Sequence, residues 1–355
     1  ICGTLADHRG FKKPIFMACM LLGVLGCAAM GVTAGWLAFL VVFVLAKVGY
    51  SSSLVFYDAM LPEVTTDERM DTMGYAYGYI GSVIPFILCL LLVLFGDKIG
   101  VGTGAAMVVS FLITAGWWFV CTQPLMKRYR QTAFVEHTGS PVFSTFRQLG
   151  RTFREVRQQK HIFLYLLAFF FFIDGVYTII DMATAYGTAL GLDSTGLLLA
   201  LLLTQIVAFP CAIVFGRLSA RYDTGKLIKL CILAYTGITI FAVFLHSQWQ
   251  FWVLAVLVGM FQGGIQALSR SYLGKIIPAE RSGEYFGLMD ICGKGASFLG
   301  TTLVAVISQA TAGMTIRLLG QQVQNESLAV GALVILFVLG FLLFCEADRL
   351  NRERR

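Results

Sequence analysis

The chain has 355 residues, 57% of them hydrophobic and only 13% charged, with a formal net charge of +7. A soluble domain runs near ~45–50% apolar and about 25% charged, so this composition excludes an ordinary soluble globule and requires lipid as solvent. The basic residues lie between apolar runs, which argues against nucleic acid as a partner.

The chain opens at Ile1-Cys2-Gly3, without Met or a signal peptide, which implies an N-terminal segment preceding it. A hydrocarbon core of about 30 Å needs roughly 20 apolar residues as helix. Ten stretches qualify: about 14–31, 35–56, 74–95, 102–122, 162–182, 196–215, 227–246, 251–272, 285–310 and 328–346. They are too long for strands of a membrane barrel, which span in about ten alternating residues. With the N-terminal end placed in the cytoplasm, only Lys98 and Arg317 of the 27 Lys and Arg fall on the far side, and Lys47 and Lys294 fall inside helices. This bias fixes the orientation, with both ends of the chain cytoplasmic.

The expected organisation is an N-terminal transmembrane half over 1–122, a cytoplasmic basic linker over 123–161, a C-terminal half over 162–346 and a basic tail over 347–355. In the linker, Phe143, Phe146, Leu149, Phe153 and Val156 recur at helical spacing opposite Arg147, Arg151, Arg154 and Arg157. That pattern suits an amphipathic helix on the membrane surface. The nine cysteines form no CxxC pair and read as small apolar packing residues.

Two loops are alike. The first reads Gly3-Thr-Leu5-Ala6-Asp7-His-Arg9-Gly10-Phe-Lys12-Lys13, the second Gly216-Arg217-Leu218-Ser219-Ala220-Arg221-Tyr-Asp223-Thr-Gly225-Lys226. Each leaves one cytoplasmic helix end and enters the next helix, which implies an internal duplication. Glycine allows the tight turn, the acidic group suits a helix N-terminus, and the basic residues hold the loop in the cytoplasm.

The first loop resembles the signature between the second and third helices of the major facilitator superfamily. In the second copy Ala220 stands where the Asp would be, and the closing Gly comes two residues late. The resemblance implies an all-α membrane protein of two pseudo-repeated six-helix halves. Ten helices would be visible, the first and most of the second being missing. Four further blocks narrow it: Phe56-Tyr57-Asp58-Ala59-Met60-Leu61-Pro62, Asp174-Gly175-Val176-Tyr177, Gln262-Gly263-Gly264-Ile265-Gln266, and Glu284-Tyr285-Phe286-Gly287 with Asp290, Gly293 and Lys294. They resemble the branch containing the autophagy-related vacuolar amino-acid effluxer and its bacterial relatives. That branch implies movement of small metabolites, amino acids being the class for its eukaryotic member. Lys47 departs from the branch pattern, where a neutral polar residue is usual.

An ionisable group at mid-membrane costs about 2.5–3.5 kcal/mol on insertion scales and is a functional candidate by default. Asp174 lies about 18 Å into its helix, with Tyr177 and Thr178 one turn on. Burial favours the neutral form of any carboxylate, so Asp174 is the candidate proton or cation site; the alternative is a structural carboxylate beside Gly175. Asp181, nearer the outer surface, reads as interfacial. Asp290 and Lys294, four apart, form either a structural pair or one that opens to a zwitterionic solute. Lys47 has no acidic neighbour one turn away, so its partner must come from another helix or a substrate carboxylate. Gln262, Gln266 and Arg270 share a helical face, where the glutamines can hydrogen-bond a substrate without charge and Arg270 is an anchor or gate near the cytoplasm. Tyr75, Tyr77 and Tyr79 fit an interfacial belt as well as substrate stacking.

No G-x-x-x-x-G-K-[ST], H-E-x-x-H or G-x-S-x-G occurs. The sequence therefore predicts no enzyme, metal or cofactor. It predicts a gradient-driven secondary transporter in the bilayer, moving a polar small-molecule solute, with protons as the candidate coupling ion; an amino acid is the class that the branch resemblance implies. The expected location is a bacterial cytoplasmic membrane. The rival readings are a cation-coupled sugar carrier and a non-transporting scaffold or sensor.

Overall fold

A computed structural model describes residues 10–64, 68–132, 154–278, 281–311, 316–318, 321–323 and 325–353. Its helices in chain order are α1 (Lys12–Met30), α2 (Trp36–Val64), α3 (Glu68–Phe95), α4 (Thr103–Arg128), α5 (Lys160–Ala189), α6 (Ser194–Ser219), α7 (Thr224–Val243), α8 (Gln248–Ile276), α9 (Ser282–Ala310), α10 (Asn325–Gly331) and α11 (Leu333–Arg352). Between α9 and α10 lies an antiparallel hairpin of β1 (Ile316–Leu318) and β2 (Gln321–Val323), with Ile316 opposite Val323. Ten spans among the described residues are long and apolar enough to cross a membrane, α10 and α11 counting as one.

Several helices outrun the apolar stretches at their C-terminal ends. α2 continues to Val64 rather than stopping near 56, α4 to Arg128 rather than 122, and α11 to Arg352 rather than 346. Hydropathy reports the part of a helix in hydrocarbon, whereas hydrogen bonding carries the helix on into the headgroup layer. Most of the expected amphipathic segment over 143–156, together with Gly3, Asp7 and Arg9, lies outside the described residues; 154–158 are helical.

The chain forms two compact units. One contains Ile1–Thr66, Gly81–Thr152 and Ile277–Gly287; the other contains Asp67–Ile80, Phe153–Ile276 and Leu288–Arg355. In the first unit α1 packs against α2 and α4. Phe16, Met20, Val24 and Cys27 recur at helical spacing to make that face, against Phe56, Met60, Ala115 and Tyr129. The α1–α2 crossing needs glycine: a Cβ on Gly49 would lie 2.5 Å from the Gly23 nitrogen. Lipid supplies no hydrophobic drive between helices, so such close packing does that work.

In the second unit α5 packs on α11, and α8 packs on α6 and α7. Tyr165, Tyr272 and Phe344 form an aromatic knot with centroids 5.0 to 6.1 Å apart, and the Tyr165 hydroxyl donates to the Ser269 carbonyl at 2.6 Å. Asp193 and Asp223 cap α6 and α7 by accepting from the Gly196 and Lys226 amides. The first turns of α3 also belong here, with Ala76 and Tyr79 buried against Ala208 and Ala212 of α6.

Candidate functional site

The long apolar run of α5 carries one acidic residue at its middle, Asp174, fully buried. Its Oδ1 accepts from the Gly300 amide of α9 at 3.1 Å and from the Thr178 hydroxyl at 3.3 Å. Only glycine permits this approach, because a Cβ on residue 300 would stand 2.7 Å from Oδ1. Asp174 Oδ2 is buried with no hydrogen-bond partner among the described residues. Leaving such an acceptor unserved is costly.

The other expected residues scatter. Tyr177 is half-buried, its ring edge 3.5 Å from where a Cβ on Gly293 would stand. Asp181 is exposed and Asp290 half-buried. Lys294 lies on α9, but its side chain is outside the described residues, and so is any pairing with Asp290. Lys47 is exposed, with its ammonium 5.6 Å from the Tyr50 ring centroid. On α8, Gln262 has a buried Oε1 with no partner among the described residues, Gln266 is half-buried, and the buried Arg270 places its guanidinium 5.2 Å from the Tyr75 ring centroid. Tyr75 and Tyr79 thus belong to a packed face, while Tyr77 is 64% exposed.

Two ionic clusters occupy helix ends, one in each unit. In the first unit, Lys12 is fully buried and donates to Glu63 Oε1 at 2.6 Å, to the Ala59 carbonyl at 3.4 Å and to Ser282 Oγ at 3.3 Å. Glu63 also accepts from the Tyr129 hydroxyl at 3.1 Å and the Thr132 amide at 2.7 Å. Ser282, on the first turn of α9, donates to the Ala59 carbonyl at 2.9 Å. Gly10 closes the loop before α1 with φ 80° and donates to Gln131.

In the second unit, Asp348 on α11 is the hub. It meets Lys229 at 2.6 Å and Arg352 at 3.1 Å, and the Tyr272 hydroxyl donates to it at 3.4 Å. Gly225 packs directly against this carboxylate, and Arg352 also pairs with Asp223 at 2.9 Å. Of the second loop, Gly216 is buried, whereas the side chains of Arg217 and Lys226 are exposed. Sequence reasoning took Lys12 as a topological charge within the loop motif and Lys229 as a topological charge, and passed over Glu63 and Asp348. The available signal was an acidic residue in the last turns of an apolar helix. Among the described residues no group of three His, Cys, Asp or Glu is placed to hold a metal.

The family model for "Vacuole effluxer Atg22 like" proteins matches residues 1–354. A Bacillus subtilis protein described as an uncharacterized MFS-type transporter, YxiO, is 40% identical over 350 residues, which are 97% of this chain and 79% of that protein. Autophagy-related protein 22-1 of Penicillium rubens is 29% identical over 278 residues, 69% of this chain but 45% of the fungal protein. Among solved structures, a variant of the E. coli fucose:proton symporter FucP aligns with a TM-score of 0.68, covering 98% of this chain and 86% of that one, at 14% identity. A bacterial homologue of the iron transporter ferroportin, in an outward-facing state, aligns at 0.64 with the same coverage and identity.

Proposed function

The chain belongs to the Atg22-like vacuole effluxer family of major facilitator transporters, and from that premise we propose that it moves a small polar metabolite, an amino acid being the leading class, by alternating access. The observation that carries the reading is Asp174. One oxygen of a fully buried carboxylate is fixed by Gly300 and Thr178, and the other is left without a described partner. Protonation there would change the charge at the α5–α9 crossing. A ligand shifts a conformational equilibrium only by its differential affinity for the two states, and a proton that neutralises a dry carboxylate has such a differential. Lys47, Asp290, Lys294, Gln262, Gln266 and Tyr177 are proposed contributors along the solute route, Arg270 is a proposed gate or anchor, and a bacterial cytoplasmic membrane is the proposed location.

The test is counterflow in proteoliposomes loaded with pooled amino acids, with and without a proton gradient. Saturable exchange that the gradient accelerates is expected. Asp174→Asn should keep exchange but lose the gradient effect. If that variant accumulates solute with the wild-type pH dependence, Asp174 is not the coupling group. Exchange only with sugars would retain the transporter and discard the amino-acid reading.

A further inference from the structure

The loop between α6 and α7 and the last turns of α8 and α11 line a polar cavity of about 180 Å³ within the second unit. Its wall carries two carboxylates, Asp223 and Asp348, two cations, Lys275 and Arg352, and the buried Tyr272 and Asn351. The apolar runs of α6, α8 and α11 give way to charge here, at Arg217, Lys275 and Glu346. Charge flanking a membrane span marks the depth of the lipid headgroups.

The hydrogen bonds within the wall leave particular atoms over. Asp348 is occupied on both oxygens: Oδ2 meets Lys229 at 2.6 Å and Arg352 at 3.1 Å, and Oδ1 accepts from the Tyr272 hydroxyl at 3.4 Å. Arg352 reaches Asp348 and Asp223 through Nη2 alone. A guanidinium has five N–H donors, so its Nε and Nη1 hydrogens have no acceptor among the described residues. Asp223 uses only Oδ1, which accepts from the Lys226 amide at 3.2 Å and from Arg352 at 2.9 Å. Its Oδ2 is left over. Asn351, 9% exposed, gives its Nδ2 to the Tyr272 hydroxyl at 2.9 Å, and its Oδ1 meets no donor among the described residues. The cavity therefore offers two spare acceptors and one edge of a guanidinium.

We propose that this cavity binds a small zwitterion, with its ammonium against Asp223 Oδ2 and Asn351 Oδ1 and its anionic oxygens against Arg352. A lone anion would gain Arg352 but sit beside two carboxylates, and a lone cation would meet the converse. A molecule carrying both charges matches both sets of spare atoms with charge-assisted hydrogen bonds. The headgroup of an amine-bearing phospholipid and a free amino acid share this chemistry. No wall residue lies on α5 or α9, so the site is separate from Asp174 and does not depend on the transport reading.

The full chain, delipidated in detergent, would be melted against O-phosphoethanolamine and glycine, with methyl phosphate, acetate and ethanolamine as the singly functional halves. A zwitterion should raise Tm saturably by roughly a few degrees, and its halves less. Asp223→Asn keeps the α7 cap, since Asn caps as well as Asp; it should erase the advantage of the zwitterion over its anionic half. Arg352→Gln should abolish the rise, each shift being read against the variant's own unliganded Tm. If neither zwitterion outperforms its halves, or if the rise survives both substitutions, the proposal is overturned. An amine-bearing phospholipid retained through purification by wild type and lost from Arg352→Gln would identify the bilayer as the source. A glycine response in the delipidated protein that Arg352→Gln removes would identify solution as the source.

Discussion

Each unit pins a set of helix ends with a lysine, a carboxylate and a tyrosine, but the carboxylate and the tyrosine sit on differently placed helices. In the first unit the lysine is on α1, the carboxylate at the end of α2 and the tyrosine just beyond α4. In the second the lysine is on α7, the tyrosine on α8 and the carboxylate on α11. If α2 corresponds to α8 and α4 to α11, acid and tyrosine have traded places while the lysine has stayed. What a bundle end needs is therefore the triad, not a particular helix for each member. The clusters also differ in water. Lys12 and Glu63 have 0% and 1% side-chain exposure, whereas Lys229 has 26% and Arg352 46%. The first cluster also takes in the first turn of α9, through Ser282.

That difference in hydration sets the largest expected effect. Removing one partner of a buried ion pair costs about 3–5 kcal/mol, because the remaining charge is held away from water. Glu63→Ala should therefore lower Tm severely or abolish the folded yield. The double variant Lys12→Met/Glu63→Leu should recover much of the loss, since an apolar pair of similar volume needs no desolvation. A single variant as stable as wild type would show that Glu63 is not the hub of that cluster.

Asp348→Asn is expected to cost less, about 1–2 kcal/mol, because water reaches Lys229 and Arg352 and replaces part of the lost attraction. Melting both variants side by side tests the comparison directly, and equal losses would break it. Transport sharpens it. If the turn of α9 held by Ser282 has to release during alternating access, Ser282→Ala should change the counterflow rate, while Asp348→Asn should leave the rate per folded molecule unaltered.

The long apolar runs and the charge bias made the ten spans legible, because lipid imposes both. The depth of Asp174 was legible for the same reason. Its anchor was not: Gly300 is one glycine among 37, and nothing local marks it as the donor facing α5. The clusters were hidden by distance along the chain. Lys12 meets Glu63 within the first half but Ser282 far beyond it, and Lys229 meets Asp348 across most of the second. Single-sequence patterns report periodicity within an element, and these contacts join separate ones. Hydropathy also stopped α11 before Asp348, which put a buried carboxylate in the expected tail.

The smallest expected effects come from the tyrosines, and their order should invert that of the acids. Tyr129→Phe removes one donor from Glu63, which keeps Lys12 and the Thr132 amide, so a loss near ~0.5 kcal/mol is expected. Tyr272 does two things at once: it donates to Asp348 and accepts from Asn351 Nδ2 at 2.9 Å. Tyr272→Phe takes both away and leaves the amide of a nearly buried asparagine without that acceptor, a loss nearer ~1 kcal/mol. Thermal melts of the two variants in the same lipid would decide it. If Tyr129→Phe were the more damaging, the tyrosine of the dry cluster would be fixing the geometry of the Lys12–Glu63 pair, and the exchange of acid and tyrosine between the halves would carry a functional cost that burial alone does not predict.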